Sequence, residues 1–194
     1  MYIYSEFLKM KKVIMIIFGV IILTVILLVN NNALIEKNNN VLYNMEKELN
    51  DQLSGVKLVD VVCVSLQNDT LSLSDIVRDK TLIYFYSELH CNSCYENQLS
   101  FLHDYFSGFK SNILILGSYM TYRNFAASMN NNEYKLPLYY VDYKTLDSLL
   151  IDYETPLFFT LNSELEATNF YIFNDDNLEN NHKYFQKVKA LLGN

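Results

Sequence analysis

The stretch Ser87-Glu88-Leu89-His90-Cys91-Asn92-Ser93-Cys94 sets two thiols three residues apart. What such a pair can do depends on what flanks it. Thr81 to Tyr86 (TLIYFY) is an apolar and aromatic run of the kind buried inside a sheet. Beyond the pair, Tyr95, Leu99, Leu102, Phe106 and Phe109 recur every three or four residues, and Gly108 is a helix stop. A strand, a short loop, the thiols and then a helix put Cys91 at a helix N-terminus. There, unpaired N–H groups and the positive end of the dipole stabilise a thiolate and lower its pKa from about 8.5. Cys91 is therefore the expected nucleophile. Cys94, one turn on and on the same face, is close enough to close a disulfide. Attack by Cys91 on a substrate disulfide would give a mixed disulfide that Cys94 resolves. His90 either adds positive charge beside the thiolate when protonated or is a partly exposed loop histidine without a role.

Other uses of the pair have their own requirements. A zinc site needs four ligands, and the rest of the chain offers only Cys63, His90, His103 and His182, at no recognised spacing. A static disulfide across two residues restrains little chain entropy. A peroxide-reducing cysteine would want Thr three residues earlier, where Glu88 stands. Copper carriage by the two thiolates would show as stoichiometric Cu(I) binding, with no Met-rich cluster nearby. Cys63, in Val61-Val62-Cys63-Val64, reads as a small buried hydrophobe on a strand.

The elements that position these residues follow the same patterns. Val56 to Leu66 is rich in β-branched residues and turns at Gln67-Asn68-Asp69 into a returning strand and a short capped helix at Leu71 to Asp75. Ile113 to Leu116, Leu138 to Val141 and Leu157 to Leu161 read as further strands, with Tyr122 to Met129 and Thr145 to Ile151 as helices between them. Asn162-Ser163 turns the chain into Ala167 to Phe173, and Tyr184, Val188, Leu191 and Leu192 mark a closing helix. Strands alternating with helices imply a central, largely parallel sheet covered on both faces, with the last hairpin as an antiparallel edge.

The N-terminal region obeys different rules. Lys9, Lys11 and Lys12 precede Val13 to Val29, an uncharged run of 17 residues, about 26 Å as a helix. It runs into Asn30-Asn31-Asn32 and lacks the small residues that end a cleaved signal peptide, so residues 13–29 read as a single-pass anchor. Basic residues on its N-terminal side keep residues 1–12 in the cytoplasm and place the rest outside. Residues 30–54, with Leu42, Met45, Leu49 and Leu53 on a helical stripe, read as a linker or stalk, and the folded domain as 55–194. A formal net charge of −7 and scattered basic residues argue against nucleic acid as a partner.

The run LSLSDIVRDKTLIYFYSELHCNSC, followed by ETPLFFTLNSE, resembles the thioredoxin superfamily, and within it the membrane-anchored thiol-disulfide oxidoreductases related to TlpA and ResA, in the AhpC/TSA-redoxin branch. The resemblance covers about residues 55 to 192. It implies an α/β fold, a thioredoxin-like three-layer sandwich with a central mixed sheet, preceded here by the transmembrane helix. It also implies Cys91 and Cys94 as the redox pair, and Thr155-Pro156 as a cis-proline site that binds substrate backbone, with Pro137 the only rival proline. The partners implied are protein thiols or disulfides and a membrane redox partner, with no cofactor and no metal. The implied place is a bacterial cytoplasmic membrane, the domain facing the periplasm or exterior. The chain departs from the family in having His90 for the usual Trp and Asn92-Ser93 between the cysteines. Phe85 stands where many thioredoxins bury a carboxylate. Cys94 would then need another base, with Glu88 and Glu154 as candidates. A non-catalytic binding or scaffold module on the same fold is the alternative.

Overall fold

The computed structural model describes residues 2–90, 92–108, 112–129, 136–143, 155–175 and 177–193, and of residues 2–16 and 92–94 the backbone alone. Helix α1 runs from Tyr2 to Leu53. The chain divides into two compact units, one up to Tyr43 and one from Asn44 on. In the first, every large apolar side chain from Ile17 to Val29 is at least half exposed. The helix there is long and apolar enough to cross a membrane. In a bilayer those side chains would meet hydrocarbon, and an α-helix satisfies its own backbone groups.

The second unit begins with the last turns of α1, where Leu49 and Leu53 are buried. Gly55, at φ +84°, ends the helix in the left-handed conformation that side chains resist. The strands are β1 (Val56–Lys57), β2 (Val62–Ser65), β3 (Thr70–Ser72), β4 (Thr81–Ser87), β5 (Ile113–Tyr119), β6 (Leu138–Asp142), β7 (Leu157–Leu161) and β8 (Glu166–Ile172). The helices are α2 (Leu73–Ile76), α3 (Asn92–Tyr105), α4 (Tyr122–Ser128) and α5 (Leu178–Leu192). Phe109, the helix expected from Thr145 to Ile151, and Glu154 lie outside the described residues.

All eight strands form one sheet in the order β1-β8-β7-β4-β5-β6-β2-β3. Among the described residues β4–β5 and β5–β6 pair in parallel, while the other five pairings are antiparallel. The sheet is therefore mixed, and the expectation of a largely parallel one is corrected. Alternation of strands and helices fixes the hand of the central crossovers. It does not reveal that β2 returns to pair with β6, or that β7 enters beside β4 running the other way. Nor is the last hairpin an open edge, because β1 pairs with β8 beyond it.

The pleat sorts β4. Leu82, Tyr84 and Tyr86 share a core with Tyr95, Leu99 and Leu102 of α3, Phe106 just beyond it, Phe125 of α4, and Phe185 and Val188 of α5. Ile83 and Phe85 point to the opposite face and are equally buried. Each such side chain contributes about 1.5–3 kcal/mol by leaving water. A strand buried on both faces gives the sheet a rigid centre, and α3 starts within five residues of its end. At the far edge Asp60 accepts from Ser74 N–H (3.0 Å) and from the hydroxyls of Ser74 (2.7 Å) and Ser72 (2.8 Å). These donors hold its carboxyl below the usual range.

Candidate functional site

The C-terminal ends of β4 and β5 lie side by side, Ser87 opposite Ser118, and the chain leaves β4 to enter α3. Cys91 lies outside the described residues. Cys94 lies in the first turn of α3, and its side chain, too, is outside them. The geometry available is that of the loop before the pair and the helix after it.

That loop is tightly bonded. Glu88 N–H extends the parallel ladder to Ser118 O at 3.0 Å. Leu89 N–H meets Ser87 Oγ at 3.3 Å. His90 N–H donates to Ser87 O at 3.0 Å, and Ser87 N–H donates to His90 Nδ1 at 3.0 Å. With Nδ1 accepting, the neutral ring carries its proton on Nε2. His90 is 7% exposed, and this corrects the expectation of a partly exposed loop residue. In the neutral form a proton on Nδ1 would set two donors against each other. Ser87 is 3% exposed, so its N–H cannot turn to water, and an orphaned buried N–H costs about 1–3 kcal/mol.

Glu88 braces the other side. Its Oε1 accepts Met120 N–H at 3.1 Å and its Oε2 accepts from Asn124 Nδ2 at 3.5 Å, tying the loop to the β5–α4 connection. The expected role of Glu88 as a base for Cys94 is therefore set beside a structural one. Thr121 Oγ1 caps α4 by accepting Asn124 N–H at 3.2 Å. Leu89 and Met120 stand 72% and 69% exposed on this rim, two large apolar side chains facing solvent.

Below the rim the setting is aromatic. Tyr86 stacks on Tyr95 with ring centroids 5.4 Å apart and meets Tyr119 edge-on at 6.0 Å. Burial pushes the Tyr86 hydroxyl well above its ordinary pKa, so it stays neutral. Gly117 makes room for this packing: a Cβ there would sit 2.7 Å from the Phe125 ring and 2.9 Å from Tyr86 Oη. Gln98, one turn after Cys94, is buried, and its Oε1 has no hydrogen-bond partner among the described residues; the same holds for Ser118 Oγ and Thr155 Oγ1. Phe85 is 1% exposed, with Leu116 of β5 and Leu157 of β7 as its register partners.

Thr155 and Pro156 precede β7. The antiparallel register sets Phe85 opposite Leu157, so they enter at the sheet end from which β4 leaves for the thiol pair. Thr155 is half-buried and Pro156 buried. None of the peptide bonds between described residues is cis, so the implied cis bond at Thr155-Pro156 is corrected to trans, the form an X–Pro bond prefers by about 0.5–1 kcal/mol. Cys63 is fully buried in β2 between Leu71 and Val141, with its thiol pushed up to about 12 by desolvation and then by Asp60. By register it lies on the row of Val141, Ser118 and Ser87, three strands from β4.

Sequence reasoning missed Ser87, Ser118, Met120 and Asn124. Ser87 and Ser118 were legible only as polar ends to apolar strands, and the reach of Glu88 to residues 32 and 36 positions on depends on strand order.

No protein-family model matches the chain, and no curated protein matches it by sequence. Solved structures do match. The thioredoxin domain of a thiol-disulfide oxidoreductase from Bacteroides vulgatus superposes with a TM-score of 0.52 at 16% identity, over 68% of this chain and 96% of that one. A thiol:disulfide interchange protein from Bacteroides sp. gives 0.52 at 17%, over 68% and 89%. The chain thus has a thioredoxin-like fold, and its structural neighbours include thiol-disulfide oxidoreductases.

Proposed function

We propose that the protein is a membrane-anchored thiol-disulfide oxidoreductase whose domain faces away from the cytoplasm and exchanges disulfides with protein substrates through Cys91 and Cys94. The observation that carries this is placement: α3, which begins at Asn92 and holds Cys94 in its first turn, starts within five residues of the end of a central, fully buried strand. The fold, shared with thiol-disulfide oxidoreductases, supports the same reading.

In the reducing direction, the Cys91 thiolate attacks one sulfur of a substrate disulfide. A Cys91–substrate S–S bond forms, the substrate S–S bond breaks, and the departing thiolate takes a proton. The Cys94 thiolate then attacks the Cys91 sulfur, closing Cys91–Cys94 and releasing the second substrate thiol. Two electrons pass to the substrate, and a membrane-bound dithiol partner must return them. The oxidising direction runs the same steps in reverse. Thr155 and Pro156 are assigned to holding substrate backbone beside the pair, and residues 13–29 to the membrane.

Replacing the resolving thiol tests the reading. Cys94→Ser in the full chain should accumulate mixed disulfides with protein substrates that dithiothreitol releases, and Cys91→Ser should accumulate none. If Cys94→Ser traps nothing, the binding-module reading replaces this one.

A further inference from the structure

We propose that His90 is a positioning residue: as the neutral imidazole protonated on Nε2, it closes the turn that delivers the chain from β4 to Cys91. The proposal rests on the thiol-exchange reading for its consequence, but its geometry stands apart from it.

Consider what Ser87 N–H would otherwise meet. Neighbouring N–H groups of a strand point to opposite sides, and Glu88 N–H goes to Ser118 on β5. Ser87 N–H therefore faces the β7 side. The last β4–β7 pair is Phe85 with Leu157, so the ladder has ended two residues short of Ser87. The imidazole of His90 takes the missing place with Nδ1 at 3.0 Å. Ser87 O in turn accepts His90 N–H at 3.0 Å. Ser87 and His90 thus exchange two hydrogen bonds, one side being a side chain, as an antiparallel pair would with its backbone. Glu88 fixes the outer side of the same turn through Met120 N–H. Every backbone N–H from Ser87 to His90 has an acceptor, so the turn has one low-energy form.

The next residue is the nucleophile. A thiolate gains from a helix N-terminus only within the first turn, where the effect falls off steeply. A turn that loses its closing bond no longer fixes where the chain leaves His90 to enter α3. The acceptor is what matters, and Asn offers an oxygen at the same distance from its Cβ as His offers Nδ1, whereas Phe keeps the ring and loses the acceptor.

The test uses the full chain in detergent, in a Cys63→Ala, Cys94→Ser background that leaves one thiol. Alkylation of Cys91 by iodoacetamide near pH 7 should slow about fivefold in His90→Phe and return to within about twofold of the parent in His90→Asn. In parallel, with both thiols restored, the potential of the pair should shift in His90→Phe and return in His90→Asn. If both variants match the parent, or both fall equally, the proposal fails. If the pair never cycles but alkylation follows the pattern, positioning stands and the exchange reading fails. Nitrogen-15 NMR of the unsubstituted protein gives an answer that does not depend on a variant folding: the neutral ring should carry its proton on Nε2, and a proton on Nδ1 would overturn the proposal.

Discussion

Cys63 shows how surroundings, more than residue type, sort the thiols of this chain. Desolvation pushes its thiol up to about 12, so at pH 8 it carries almost no thiolate. Native protein with Cys91 and Cys94 replaced should therefore resist iodoacetamide at pH 8 and react once unfolded in guanidinium. Rapid labelling of the native form would contradict the burial. Gly117 is the second residue-scale case. Its neighbours are a buried aromatic ring and a buried hydroxyl, neither free to move away, so Gly117→Ala should cost about 1–3 kcal/mol in chemical denaturation. The buried role of Cys63 was legible from the alternation around it. Gly117 was not, because the need for a missing Cβ arises from Phe125 and Tyr86, which meet only across the folded sheet.

At the scale of elements, the C-terminal turns of α1 behave as part of the sheet. Asn50 Nδ2 donates to Phe170 O at 2.8 Å, and Phe170 N–H donates to Asn50 Oδ1 at 2.9 Å, so one amide completes both edge groups of β8. One turn earlier Glu46 Oε1 accepts Ile172 N–H at 3.2 Å. Asn50→Ala should thus cost about 1–3 kcal/mol, since two buried backbone groups lose partners. Glu46 adds a pH dependence. Burial raises its carboxyl from 4.5 to about 7, against the pull of the Ile172 N–H. The folded form holds the proton more tightly, so this contribution is complete below about 4.5 and is lost as pH rises through about 7. Discounted for its half-exposed position, the loss is on the order of 1–3 kcal/mol. Urea midpoints of the parent should fall between pH 4.5 and 7 relative to those of Glu46→Gln, and parallel curves would contradict this. The stripe of Leu49 and Leu53 announced a buried helical face in the sequence. Its target was hidden, because β8 lies 120 or more residues away.

For the whole molecule, a thioredoxin-like fold was readable because its signals are local: an apolar strand, a thiol pair, a helical stripe and a closing hairpin. Strand order was not, since β2 and β7 pair by rules that no periodicity encodes. The compact unit starting at Asn44 carries a consequence for truncation. A chain beginning at Asn44 keeps Glu46, Leu49, Asn50 and Leu53, and should unfold with the midpoint of the full chain. One beginning at Gly55 loses all four and should unfold at markedly lower denaturant. Equal midpoints would show that α1 contributes nothing to the fold.

The central claim is that Cys91 and Cys94 cycle as a pair. The direct measurement is a thiol-trapping redox titration of the full chain in detergent, across graded glutathione and dithiothreitol buffers, with Cys91→Ser beside it. The account predicts one two-electron transition, tenfold in its equilibrium constant for every ~30 mV, that Cys91→Ser abolishes. A midpoint near about −270 mV would mark a reductant and one near about −120 mV an oxidant. A pair whose thiols stay in one state across all buffers would contradict the account.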